Sequence, residues 1–404
     1  MITSSHIKNH TTTNSNTLNK DTIYNKSNSN LRDPRSTNER IVLSLMRQHG
    51  ALSKSDIAKH TGLSAQSASV IIKKLKEDGL VSAMATKQGA KGQPKTPFTL
   101  NEDGAFAVGL KVGRRSYDMT LLDIKGQVRA TIHEKIDFPS VDTFLHFVTR
   151  AFVVATNKVG QKLVSRIQGI GVAMPSHIWQ WADEIDAPAD ALASWEHFDI
   201  ERVLSTQFSL PVFVLNDGAA ACDAELHFGN KAQYNSFLYI FVGTFLGGGV
   251  VLNNTLITGK SGNAGAIGSL PFVNIGNDAQ LISGASLYVL ANMLKESGDN
   301  AEHIFENTSN WSCNEDVLTN WCLKASEGIA FAAHCAMSLL DVEGIIIDGA
   351  MPAAVKSRIV EATQKALLQQ DTRGLIHAEL AFGKVGPKAQ SIGSAHLPLS
   401  ANYF

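Results

Sequence analysis

The sequence predicts an α/β protein in which a small helical module precedes a larger body with two lobes. Three observations lead to this prediction: short amphipathic helices between residues 36 and 79, strands alternating with helices from residue 101 onward, and a second start of that alternation near residue 237. A chain of 404 residues, of which 44% are hydrophobic, can form two or three domains with full-sized cores.

Hydropathy and cysteine usage narrow the class of protein. No apolar run reaches the roughly 18 residues that a bilayer span requires, and the first 35 residues lack the apolar stretch of a secretory signal. We therefore expect no membrane partner and a cytoplasmic location. The four cysteines form no CxxC pair, so neither a disulfide framework nor a thiolate zinc cluster is expected.

The net charge of −1 conceals an uneven distribution. Residues 1–35 carry +3, residues 36–100 carry +6 and residues 101–404 carry −10. A basic N-terminal region followed by an acidic remainder suggests a module that binds a polyanion, attached to a domain with another function. Residues 1–35 include 18 Ser, Thr and Asn and few apolar side chains, which predicts a disordered tail. A contact between this tail and DNA phosphates remains the alternative.

Residues 36–79 contain three amphipathic stretches of helical period. Each stretch begins with a serine in an N-cap position: Ser36, Ser53 and Ser64. Each ends at a glycine: Gly50, Gly62 and Gly79. The first two starts also have the spacing of a capping box, with Glu39 and Asp56 as the third helical residues. Short helices joined by a tight turn that contains glycine predict a helix-turn-helix.

The third helix and the segment after it have the composition of a DNA reader. Its predicted exposed side carries small, polar or basic side chains: Gln66, Ser69, Val70 and Lys73. A basic loop between two short strands then forms a predicted wing, with Lys91, Gln93 and Lys95. We therefore predict that residues 36–100 are a winged helix-turn-helix domain whose partner is a double-stranded operator. A solubilising surface and a protein-docking module remain as alternatives.

The body, residues 101–404, repeats one α/β design. The first unit has strands at 106–112, 116–123, 126–138, 168–173 and 212–215 and a helix at 141–160. The second has strands at 237–242, 248–252 and 344–348 and helices near 279–296 and 325–340. Two similar units predict two lobes, residues 101–222 with a C-terminal segment and residues 223–385. We expect a ligand in the cleft between them.

Four strings in this body carry a family resemblance: residues 169–175, 214–222, 242–250 and 262–269. In this order and spacing, and together with the winged helix, they make residues 36–404 resemble transcriptional regulators of the ROK family. That family combines repressors and sugar kinases on a two-lobed, actin-like sugar-kinase fold. The resemblance implies this fold, a homodimer or higher homo-oligomer, and a sugar or sugar derivative as the small-molecule partner.

Candidate effector-binding residues follow from the strings and from residue chemistry. Asn216 and Asp217 come directly after an apolar strand, where strand ends line a cleft. The resemblance implies that Asp217 matches the general base of the kinases, although it could instead serve as an N-cap. The Trp195 ring could be a platform for a sugar or could be packing. The predicted set is Ser176, Trp195, Asn216, Asp217, Asn263 and Ser269.

Two departures from the kinase pattern indicate a protein that is not an enzyme. Where the kinases carry a sugar-binding Glu and a zinc-ligating His, this chain has Ala266 and Ser269, so neither metal nor cofactor is expected. Where the kinases have an acidic residue and glycines that hold magnesium and phosphates, it has Lys111, Arg114 and Arg115. A lysine repels magnesium, and phosphoryl transfer depends on that ion.

The sequence thus predicts a sugar-responsive, DNA-binding regulator, namely a repressor of carbohydrate-utilisation genes. In a homodimer, the two copies of the recognition helix would match the two halves of a palindromic operator. A sugar kinase with an accessory DNA-binding domain and a regulator controlled by a protein partner remain as alternatives.

Overall fold

The structure of the chain is a computed structural model that describes residues 35–85, 95–182, 187–230, 233–272 and 280–404. The predicted tail and most of the predicted wing, including Lys91 and Gln93, lie outside these residues. In the described parts, no helix is both long and apolar enough to cross a bilayer.

The first module contains three helices and a small antiparallel sheet. The helices are α1 (Thr37–His49), α2 (Lys54–Thr61) and α3 (Ala65–Glu77). The strands are β1 (Leu52–Ser53), β2 (Val81–Ala83) and β3 (Pro97–Leu100), in the order β1-β3-β2. The three predicted serine caps are confirmed, because each side chain accepts a hydrogen bond from its helix. The helices therefore start where local chemistry satisfies their free N–H groups.

One predicted detail of this module is wrong. Ser53 and Asp56 form a reciprocal capping box, but at α1 only the Ser36 half exists. The Glu39 side chain is instead buried, and its Oε1 lies 2.5 Å from the Nζ of Lys74 on α3. Packing against a neighbouring helix has displaced the local hydrogen bond.

The first lobe is a mixed five-stranded sheet covered by helices. Its strands are β4 (Phe106–Val112), β5 (Ser116–Asp123), β6 (Val128–Lys135), β7 (Ile167–Met174) and β8 (Val212–Asn216), in the order β6-β5-β4-β7-β8. Its helices are α4 (Val141–Val159), α5 (Gln161–Val164), α6 (Ala189–Ala193), α7 (Ile200–Phe208) and α8 (Asp217–Ala224). The β7–β8 pair is parallel, so the polar side chains that follow these strands meet at one edge.

The second lobe repeats the design with a second five-stranded sheet. Its strands are β9 (Phe237–Val242), β10 (Leu246–Leu252), β11 (Thr255–Ile257), β12 (Gly344–Gly349) and β13 (Glu379–Phe382), in the order β11-β10-β9-β12-β13. Its helices are α9 (Ile282–Ala285), α10 (Leu287–Glu296), α11 (His303–Glu306), α12 (Glu315–Leu340) and α13 (Ala353–Leu368). The separate core of this lobe centres on the fully buried Trp321.

The last helix, α14 (Ala389–Tyr403), returns to the first lobe and to the first module, residues 36–100. An added Cβ at Gly171 of β7 would lie 1.8 Å from the backbone oxygen of Ser394, so helix and sheet touch backbone to backbone. The far end of α14 is also part of the module's core, because Leu399 and Tyr403 pack in one buried cluster with Val42 of α1. The core of the first module is thus continuous with the body.

Candidate functional site

Three of the predicted effector residues meet in the cleft. Asn216 ends β8, and its Oδ1 accepts hydrogen bonds from the N–H groups of Gly218 (2.9 Å) and Ala219 (3.3 Å) at the start of α8. Its Nδ2 donates to Ser176 Oγ (3.1 Å), which in turn donates to Asn263 Oδ1 in the second lobe (3.1 Å). This chain of amides and a hydroxyl spans both lobes and offers donors and acceptors of the kind that bind sugar hydroxyls.

Asp217 faces the same cleft but has different contacts. Its Oδ2 accepts a hydrogen bond from Gln390 Nε2 (3.1 Å) and lies 3.9 Å from Arg114 Nη1. The N-cap alternative for Asp217 is wrong, because Asn216 caps α8. Asp217 instead lines a cavity of about 120 Å³ together with Arg114 and Thr244.

Trp195 and Ser269 do not join this cluster. Trp195 is only 3% exposed, and its indole N–H donates to the backbone oxygen of Pro139 (3.0 Å). It packs beside Phe144, so its role is the packing alternative rather than the sugar platform. Ser269 is the exposed last residue of a short turn, and within the described residues its side chain makes no hydrogen bond.

Lys111 and Arg115, which the sequence analysis placed at a lost phosphate site, both form ion pairs. Lys111 Nζ lies 3.2 Å from Asp118 Oδ2 within the first lobe. Burial alone would raise the pKa of Asp118, but Lys111 and His133 hold it below its usual range. Arg115 Nη1 lies 3.7 Å from Glu302 Oε1, and Lys135 Nζ lies 2.7 Å from Glu306 Oε1. The last two pairs join the first lobe to the segment around α11.

The predicted DNA-reading face is accessible. Gln66, Val70 and Lys73 are exposed on α3, with Val70 62% exposed, and Ser69 is half-buried. Lys95 is exposed and its Nζ lies 4.0 Å from Asp56 Oδ1. The side chains opposite these, Ala68, Ile72 and Leu75, are buried against the module. The geometry leaves one polar and basic side of α3 free of contacts with the body.

Sequence reasoning missed a buried polar network between α1 and the body. His396 Nδ1 on α14 lies 2.7 Å from Asp223 Oδ2, and His227 Nε2 lies 3.4 Å from Asp223 Oδ1. Arg47 of α1 contacts the other nitrogen of each ring, at 2.6 Å for His396 and 3.3 Å for His227. No local motif could have revealed it, because Arg47 and His396 are 349 positions apart.

The donors in this network can be assigned by elimination. A guanidinium only donates, so the His396 nitrogen that faces Arg47 must accept, and the opposite nitrogen of that ring donates to Asp223. The His396 ring is then neutral. The ligand atoms of Asp223, His227 and His396 lie within 4.8 Å of one another. A metal ion there would face the nearby Arg47 guanidinium, so the cluster suits hydrogen bonding better than metal binding.

We expect stability to depend on pH through His396. Burial lowers the pKa of His396 from 6.5 to about 4, although Asp223 opposes the shift. Below pH 6.5 the unfolded chain therefore binds a proton that the folded chain does not, and the free energy of unfolding falls as the pH drops from about 6.5 to 4. The loss approaches about 3 kcal/mol. Urea unfolding at pH 7, 5.5 and 4.5 measures it, and His396→Gln should flatten this part of the profile; an equal slope in both proteins would contradict the assignment.

Comparisons with known proteins agree with this architecture. The MarR family model matches residues 36–87, and the ROK family model matches residues 107–400. The "Uncharacterized protein y4fQ" of Sinorhizobium fredii is 23% identical over 91% of this chain and 92% of its own length. The xylose repressor of Bacillus spizizenii is 24% identical over 58% of this chain, which spans 60% of that repressor.

A solved structure has the same fold. The crystal structure of a ROK family transcriptional regulator, described as a homologue of the E. coli MLC protein, superposes with a TM-score of 0.65 at 20% identity. The match covers 91% of this chain and 96% of that one, including both the DNA-reading module and the lobes. Since the ROK family model matches well over half of its residues, the chain belongs to the ROK family.

Proposed function

We propose that this protein is a sugar-responsive, DNA-binding transcriptional regulator, a repressor of carbohydrate-utilisation genes. It would act in the cytoplasm as a homodimer or higher homo-oligomer on a palindromic operator. The observation that carries the proposal is a hydrogen-bonded polar cluster in the cleft, formed by Ser176, Asn216 and Asn263, with the cations Lys111, Arg114 and Arg115 in the neighbouring cavity. The MarR-type module and the similarity to a xylose repressor support the DNA-binding part.

Ser176, Asn216, Asn263 and Asp217 are the proposed contacts to the sugar. The first three form the hydrogen-bonded chain across the lobes, and Asp217 lies at its edge beside Arg114. Ser269 also remains a proposed contact to the sugar. Its side chain is exposed at the end of the turn Ile267–Ser269 and does not belong to the hydrogen-bonded chain. A sugar that binds this cluster better in one arrangement of the lobes will favour that arrangement by its differential affinity.

We infer that this protein is not a kinase. Lys111, Arg114 and Arg115 line one cavity with Asp217. The resemblance to the kinases implies that magnesium would bind in this region, and the positive charge there supports the inference because phosphoryl transfer relies on that ion. We expect no ADP release with ATP, magnesium and a panel of sugars. Turnover that is abolished by Asp217→Asn would establish the kinase alternative.

Operator selection from random DNA, repeated with sugars, tests the function directly. We expect one palindromic sequence to be enriched and at least one sugar to change its affinity. In a parallel thermal-shift screen, a ligand at one hundred times its Kd should add about 2.7 kcal/mol of stability. Operator binding without a response to any sugar, polyol or sugar phosphate would favour control by a protein partner.

The DNA face predicts different effects for two substitutions. Gln66→Ala should relax sequence preference and cost about 1–3 kcal/mol at one base pair, because a glutamine can bond adenine through two hydrogen bonds. Lys95→Ala should weaken binding to all sequences alike and reduce the dependence on salt, because a lysine on phosphate releases counterions. Fluorescence anisotropy with operator and random duplexes at several salt concentrations measures both. If both variants bind like the parent, the assigned face is wrong.

A further inference from the structure

Helices α8 and α14 lie side by side and are joined at two matching points. At one end Gln390 Nε2 donates to Asp217 Oδ2 (3.1 Å), and at the other His396 pairs with Asp223 (2.7 Å). The partners are six residues further along on each helix, which is about 9 Å of helix. Midway, an added Cβ at Gly393 would lie 1.7 Å from the backbone oxygen of Ala220. The two helices are therefore in backbone contact and in register.

This helix pair connects the cleft to the DNA-reading module. Its first end carries Asn216 and Asp217, the residues of the cleft. Its second end carries the histidines that bond to Arg47 of α1. Helix α8 also touches the second lobe, because an added Cβ at Gly249 of β10 would lie 2.4 Å from Cys222 Cβ. A movement of that lobe relative to the first thus acts on α8 directly.

Arg47 is bonded to both members of the pair at once. His396 belongs to α14, and His227 lies in the turn Glu225–Gly229 that continues α8. The guanidinium also stacks 3.8 Å above the Phe404 ring. Because the two bonds are 2.6 and 3.3 Å long, a shift of about 1 Å between the histidines would break one of them. Among the described residues, the side chain of the neighbouring Arg40 bonds to the end of α14 alone, at the backbone oxygens of Ser400 and of the C-cap Phe404.

We propose that Arg47 is the coupling residue of this protein, through which the relative position of α8 and α14 sets the orientation of the DNA-reading module. The proposal rests on the proposed function for its biological meaning, but the coupling itself is a property of the fold. Arg40 holds the module on α14 in either arrangement. Arg47 is the residue that senses the difference between the two helices.

A double-mutant cycle tests the coupling without sugar or DNA. Arg47→Lys keeps the positive charge but lacks the planar guanidinium that donates to two acceptors at once. Gln390→Ala breaks the bond at the cleft end, which shares no partner with Arg47. Changes at such separated sites normally add. We expect the shifts in Tm of these two variants to be non-additive, whereas Arg40→Lys and Gln390→Ala should add. Additivity in both cycles would overturn the proposal.

A second measurement uses operator DNA and D-xylose, D-glucose or N-acetylglucosamine, according to which sugar binds by calorimetry. In the parent and in Arg40→Lys we expect saturating sugar to change operator affinity by about tenfold. In Arg47→Lys the change should fall below about twofold while the Kd for the sugar stays within about threefold. A retained response in Arg47→Lys would overturn the proposal. If no sugar binds the parent, the proposed function fails instead, and the cycle alone decides the coupling.

Discussion

Asp223→Ala is expected to lower the free energy of unfolding by about 3–5 kcal/mol, because it leaves a buried charge network without its anion. Asp223 is 4% exposed; it accepts a hydrogen bond from His396, and His227 Nε2 lies 3.4 Å from its Oδ1. Without it, the buried N–H group of His396 loses its acceptor. The Arg47 guanidinium, whose pKa burial lowers to about 10, loses the nearby negative charge that opposes this shift. Urea unfolding at pH 7 measures the loss.

A surface aspartate provides the control for Asp223. Asp371 also pairs with an arginine, Arg373, but both side chains are largely exposed. Asp371→Ala should leave the unfolding midpoint nearly unchanged, since water screens exposed pairs. The unfolding midpoint of Asp223→Asn should lie between those of Asp223→Ala and Asp371→Ala, because the asparagine keeps an acceptor for one histidine. Equal midpoints for Asp223→Ala and the parent would show that the network contributes nothing to stability.

Gly393→Ala is expected to destabilise the fold by about 3 kcal/mol. The new methyl group would lie 1.7 Å from the backbone oxygen of Ala220, and a backbone atom cannot rotate away as a side chain can. The two helices would have to separate, which would also disturb the bonds at both ends of the pair. Thermal unfolding monitored by circular dichroism measures the effect.

Gly247→Ala is the matched control for Gly393→Ala. An added Cβ at Gly247 would lie 3.6 Å from the Cα of Gly218 and 4.0 Å from its nitrogen, which are ordinary contact distances. We expect it to be tolerated or slightly stabilising, since alanine restricts the unfolded chain more than glycine does. If Gly393→Ala unfolds at the same temperature as Gly247→Ala, then α8 and α14 are not in the close contact described above.

Some elements were predictable because their signals are local. The starts of α1, α2 and α3 depend on a serine and an N–H group three residues away, and all three were found. The predicted helix at 325–340 in fact starts at Glu315, where Asn314 is the cap. The prediction followed the alanine-rich, buried part and overlooked the more polar first turns. The helix predicted near 279–296 is divided, because Ser286 caps a new helix at Leu287.

The cleft also combines features that the sequence pattern predicts with features that only the structure decides. Asn216 and Asp217 could be placed at a strand end from the pattern alone, but which one caps α8 depended on side-chain orientation. The sequence allows two roles for Trp195, a sugar platform or packing, and its burial in the first lobe decides for packing. The hydrogen bond between Ser176 and Asn263 joins residues of different lobes, and no spacing in the chain encodes it.

The amino-acid sequence by itself determined the helix caps, the order of strands and helices and the basic face of α3. These depend on neighbours within a few residues or on the identity of single side chains. Only the tertiary structure decided that Arg47, Asp223 and His396 form one network and that α8 and α14 lie in register. Such contacts join residues far apart in the chain, and their hydrogen bonds form only when packing has brought the helices together and excluded water.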